Sequence, residues 1–175
     1  MMMRLTPIAL AFTSLGALTA AGRASYHAFV RRNAQQVFDL LNRGDYDTLM
    51  QQRFAPDTEH TMVGEHALGG VRHSAEATRQ WFARVYRLFP ERHFTLRQVW
   101  VNGGPGDTHL AAHWTQRLVP QVGEPFTTDG VNLIHIRRGT VVRETILPDT
   151  QQLSAVLDTM ARQGVAEAAA PPITD

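Results

Sequence analysis

The side chains with the most to offer chemically lie on the stretch Gly130 to Asp149, GVNLIHIRRGTVVRETILPD. Val131, Leu133 and His135 alternate with Asn132, Ile134 and Ile136; Arg138 and Gly139 make a tight turn; Val142, Glu144 and Ile146 then alternate with Val141, Arg143, Thr145 and Leu147. A period of two on both sides of a two-residue turn predicts a β-hairpin. A regular register puts Asn132 and Glu144 on the same face. A carboxyl buried there without a partner keeps its proton more readily than in water, which brings it into the range useful for proton transfer near neutral pH. The Asn132 amide can donate a hydrogen bond to a developing oxyanion. The competing reading is a one-residue slip or a bulge that turns Glu144 outward beside Arg143 or Arg137.

His60, His66 and His73 fall within 14 residues, joined by a glycine-rich loop that could gather them at a pocket mouth. Histidine is the side chain best placed to take and give protons near pH 7. His60 is the foremost partner for Glu144, with His66 and His73 as substrate contacts; the alternative is three ordinary surface or half-buried histidines. No metal is expected of them, because their spacing fits no common ligand pattern and Glu59 or Glu65 would have to join. Trp81 and Trp114 are read either as core or as a platform for an apolar ligand. Arg72 is read as solvated charge or as a contact for an anionic substrate group.

These residues need elements to hold them. Tyr26, Phe29, Val30, Ala34, Val37, Phe38 and Leu41 form the apolar stripe of a helix that ends at Gly44. A short helix from Asp45 runs through Leu49 and Met50 and finishes near Phe54-Ala55-Pro56, Thr58 to Val63 reads as a short strand, and Glu65 to Arg72 as a loop or irregular hairpin. Ser74 caps a helix that Pro90 stops. Strands follow at Phe94 to Val101 and His109 to Val119; in the second, Leu110, Ala112 and Trp114 share one face and His109, His113 and Arg117 the other. After the hairpin, Asp149 starts a last helix that stops at Gly164, and residues 165–175 read as a frayed, disordered tail.

The chain has 175 residues, a formal net charge of +1 and no cysteine. That length suits one domain with appendages, and the mixed charge offers no basic face for nucleic acid. Without cysteine there is no disulfide frame, no thiolate nucleophile and no zinc–sulfur site. Residues 5–22 carry no charge. As a helix they would run roughly 27 Å, just short of a hydrocarbon core of about 30 Å. The arginines at 23, 31 and 32 favour a membrane anchor with the domain on the cytoplasmic side. A soluble helical extension and a signal peptide are the other readings.

The segment NRGDYDTLMQQRFAPD after an amphipathic helix, the helix ARQWFARVYRLFP and the closing hairpin resemble the superfamily of nuclear transport factor 2, the SnoaL-like polyketide cyclases and the ketosteroid isomerases. The likeness covers roughly residues 26–164. It implies an α+β cone in which a curved antiparallel sheet wraps the N-terminal helices, with a C-terminal helix, a pocket on the concave face and a homodimer interface on the convex face near Val131 and Leu133. The resemblance also implies a small apolar ligand and, for an enzyme, a cyclase or isomerase that works by general acid and base chemistry without a cofactor. A non-catalytic carrier or a dimeric interaction module is the alternative. The three steroid-isomerase positions fall at Val37, at Asn132 and near Thr61 or Met62, and none holds that family's residue.

Overall fold

The computed structural model describes residues 19–175. Most of the 5–22 run therefore lies outside the described residues, and among these no helix is long and apolar enough to cross a membrane. Helix α1 (Ala20–Arg43) opens on the Thr19 hydroxyl, which accepts from the Gly22 amide, and closes on Gly44 at φ 77°, a left-handed position that favours glycine. Helix α2 (Tyr46–Arg53) is capped by Asp45 and α3 (Ala75–Leu88) by Ser74. After the long strands, α4 (Thr150–Arg162) starts on Asp149, whose carboxylate accepts from the Gln152 amide.

The strands are β1 (Phe54–Met62), β2 (Gly70–Arg72), β3 (Glu91–Gly104), β4 (Asp107–Val119), β5 (Phe126–Arg137) and β6 (Thr140–Pro148). They form one six-stranded sheet in the order β2-β1-β6-β5-β4-β3. The sheet is mixed rather than wholly antiparallel, because β6 returns to lie parallel to β1. Register shifts interrupt three of the ladders, between Phe54 and Glu59, between Leu96 and Gln98, and between His135 and Ile136. Each adds local twist, and together they curl the sheet into the expected cone. The last of them also corrects the alternation read for β6: Val141, not Val142, shares the inner face with Glu144 and Ile146.

Helix α1 lies across the concave face with Val30, Phe38 and Leu41 buried, and α3 closes one side with Trp81, Phe82 and Val85. Residues 165–175 do not fray. Ala166–Ala169 form a short 3-10 turn, the Ile173 carbonyl accepts from Arg72, the Pro171 carbonyl accepts from Arg84, and Asp175 accepts from the His73 amide and the Ser74 hydroxyl. Arginine donors satisfy carbonyls that a proline-rich tail would otherwise give to water.

Candidate active site

The β5–β6 turn fixes the site. Arg138 and Gly139 both have positive φ, 49° and 87°, so the two-residue loop has the twist that pairs Arg137 with Thr140. Counting back from it, Asn132 and Glu144 fall on the concave face, as the alternation predicts. They join a slanting row of side chains across five neighbouring strands: Arg72 on β2, His60 on β1, Glu144 on β6, Asn132 on β5 and Trp114 on β4. In the ladders His60 stands opposite both Arg72 and Glu144.

Hydrogen bonding along this row settles the orientation of each group. The indole Nε1 of Trp114, which can only donate, gives its proton to Asn132 Oδ1 at 2.7 Å. The Asn132 amide is thereby turned so that Nδ2 donates to Glu144 Oε1, also at 2.7 Å. From the other end, Arg72 Nε donates to His60 Nδ1 at 3.0 Å. That nitrogen must be the acceptor, so the imidazole proton sits on Nε2, which faces Glu144 Oε2 at 3.8 Å. Glu144 is 6% exposed and His60 and Arg72 are fully buried.

Burial pushes the Glu144 carboxyl up to about 7, against a smaller opposing effect of the Asn132 hydrogen bond. Burial also drives His60 well below its ordinary value, and the neighbouring Arg72 charge adds to this. Arg72 is itself lowered to about 10 by burial and remains a cation at neutral pH. The row therefore holds a neutral imidazole between a fixed cation and a carboxyl that changes charge near pH 7.

One end of the row opens on a cavity of about 900 Å³ between the sheet and helices α1 and α3. Glu144, Asn132, Trp114 and Trp81 line it, with aliphatic and aromatic walls from Val37, Phe38, Met62, Phe82, Leu110 and Ile134. Arg53 and Arg138 are the cations in the lining, and Glu144 is its carboxyl group. Trp81 spends its indole N–H on the Leu68 carbonyl and so presents only its apolar surface.

Three sequence expectations need correction. His60 does not line the cavity; it lies behind Glu144 with its ring against Trp81 at 4.6 Å between centroids. His66 and His73 do not join it, because strand β1 turns residue 60 inward while His66 stays in the following loop, its Nδ1 accepting from the Leu68 amide, and His73 is exposed beside Asp175. Arg72 cannot meet a substrate, since its guanidinium is used on His60 and on the carbonyls of Gly69, Gly70 and Ile173.

Residues 34–144 match the SnoaL-like domain model, a span that holds every member of the polar row. The chain belongs to the SnoaL-like domain family. None of the curated proteins compared matches this sequence. Among solved structures, this SnoaL-like domain is similar to an NTF2-like protein of unknown function from Burkholderia pseudomallei, with 17% identity over 72% of this chain and 95% of that one and a TM-score of 0.63. It is similar to PrhC from Penicillium brasilianum, with 11% identity over 77% and 89% of the two chains and a TM-score of 0.65. A protein from Jannaschia sp. CCS1 named as a SnoaL-like polyketide cyclase aligns at 16% identity over 72% and 91%, with a TM-score of 0.56. At such identities the likeness establishes the cone and its hollow, not the chemistry.

Within this SnoaL-like cone, the residue that sequence reading missed as a positioning group is Trp114. Its signal was Gly130, a glycine inside a strand: a Cβ there would come within 2.3 Å of the Trp114 ring, so the indole crosses β5 only because the side chain is absent. Trp114→Phe is expected to leave Asn132 Oδ1, half-buried at the cavity wall, without its donor, at a cost of about 0.5–1.5 kcal/mol in urea denaturation. The same change frees the amide to turn away from Glu144, so the carboxyl should titrate at higher pH than in the parent.

Proposed function

We propose that this SnoaL-like protein binds a small, mostly apolar molecule, such as a polyketide, terpenoid or steroid, and catalyses a cofactor-independent isomerisation or cyclisation. The observation that carries the reading is the one carboxyl that the described residues give to a mostly apolar cavity, Glu144, held by an oriented amide with its Oε2 free of a hydrogen bond. In its ionised form Glu144 would remove a proton from carbon next to a substrate carbonyl. Asn132 keeps a second amide N–H for the oxygen on which charge then develops. Glu144 would return the proton at another carbon, or at oxygen after ring closure. His60 and Arg72 act as positioning residues, fixing the far side of the carboxyl without touching substrate. A homodimer through the convex face, where Leu133 is 48% exposed, and attachment on the cytoplasmic side through residues 5–22 belong to the same proposal.

The testing experiment is thermal shift with a panel of hydrophobic ketones and polyketide-like ligands, followed by turnover of those that bind. For a base that titrates where Glu144 does, kcat/KM should rise with pH, with its midpoint at about 7. A profile flat from acid to alkaline pH would remove Glu144 from the reaction. The second reading, a carrier, draws on Val37 and Met62, which line the cavity where the steroid isomerases place acid and phenol groups. Binding without conversion across the panel would favour it.

A further inference from the structure

Strand alternation that points Asn132 and Glu144 inward points the odd-numbered residues of β4 and β5 to the convex face. There His109 and His135 are direct cross-strand partners, and Asp107 lies two residues before His109 on the same face. The two imidazole rings stack with centroids 4.1 Å apart and planes 15° apart. Both Nε2 atoms turn toward the same carboxylate oxygen, Asp107 Oδ1, at 2.5 Å from His135 and 3.7 Å from His109. One donor atom from each of the three residues lies within 4.8 Å of the other two.

We propose that Asp107, His109 and His135 form a binding site for a divalent first-row transition cation of the zinc type, separate from the cavity. Tetrahedral zinc with nitrogen and oxygen ligands at about 2.0–2.1 Å sets those ligands roughly 3.4 Å apart, so the three donors need only side-chain adjustment to close on one ion. Two imidazoles and one carboxylate suit zinc, copper or nickel and are a poor match for magnesium or calcium, which prefer oxygen. The two strands hold the ligands at fixed register, and the exposure of Asp107 and His109 leaves the remaining coordination positions open to water. Asp107 supplies the one anionic ligand, and binding replaces its contact with the His135 Nε2 proton, because a ligating imidazole nitrogen carries no proton. Arg137, in register with Asp107, is a cation that competes for this carboxylate.

The test is calorimetric titration of the full, tag-free chain with zinc chloride near pH 7.5. One equivalent should bind. His109→Ala, His135→Ala and Asp107→Asn should each weaken binding by at least about tenfold, as loss of a direct ligand costs no less than loss of an outer partner. His113→Ala, on the same face but outside the cluster, should leave it unchanged, and Arg137→Ala should strengthen it. Asp107, His109 and Arg137 are exposed and His135 is half-buried, so the folding of each variant is checked by thermal melts without metal. Absence of saturable binding, affinity unaltered in both histidine variants, or equal binding of magnesium would overturn the proposal.

Discussion

Replacing Glu144 by Gln should reduce turnover of any substrate found by about 10²–10⁴-fold while leaving its binding nearly unchanged. Gln has the same shape, and its Oε1 can still accept the Asn132 amide proton, so the cavity wall and the orientation of the row survive. What is lost is the ability to take a proton. The same variant should be more stable than the parent at alkaline pH. Glu144 has its folded value raised from 4.5 to about 7, so the stability it contributes is full below its unfolded value and is lost as pH rises through about 7. At about 1.36 kcal/mol per unit, the gain for Gln at pH 8 has an upper bound of about 3 kcal/mol and should vanish near pH 4.5. A less active and more stable protein is the mark of a functional carboxyl kept at the expense of the fold. Unchanged turnover would mean that another group moves the proton and would remove Glu144 from the reaction, and unchanged stability at every pH would mean that Glu144 is not buried in its charged state.

The local part of this arrangement was legible in the sequence. The Arg138-Gly139 turn sets the register of β5 on β6, and two residues on one hairpin can be assigned a common face from alternation alone. The β4 alternation separated Trp114 from His109 and His113 for the same reason. What was not legible depends on non-local pairing. His60 meets Glu144 only because β1 runs parallel to β6 across 84 positions of chain, and Arg72 enters the interior because β2 folds back on β1. An arginine in a glycine-rich stretch reads by composition as solvated charge, and nothing near it in sequence announces the carbonyls it finds at the C-terminus. The tail misled for the matching reason, its partners, Arg72 and Arg84 among them, lying 101 and 87 residues upstream of the carbonyls they meet. The Val142 position shows the limit even of local reading: one bulge opposite His135 and Ile136 is enough to change which valine faces the cavity.

Arg72→Met should be among the most destabilising single changes in the chain, costing at least about 3 kcal/mol in denaturant unfolding, because a buried charge-assisted network would lose its donor. The guanidinium makes four hydrogen bonds from a fully buried position, to His60 Nδ1 and to the carbonyls of Gly69, Gly70 and Ile173, and it stacks over Trp81 at 5.3 Å. Methionine fills much of the volume and replaces the stacking, but it leaves one imidazole nitrogen and three carbonyls without that partner. Arg72→Lys should recover only part of the loss, since a single ammonium cannot reproduce a planar fork aimed at four acceptors. Two further readouts separate this role from generic packing. Without its anchor to residue 173 the C-terminal segment should become the first site of limited proteolysis. And without the Nε donor and the adjacent charge, His60 should become easier to protonate and lose its fixed tautomer, visible in its imidazole nitrogen chemical shifts. A methionine variant as stable as the parent, with an intact tail and an unchanged His60 spectrum, would mean that Arg72 neither orders the row nor ties the C-terminus to it.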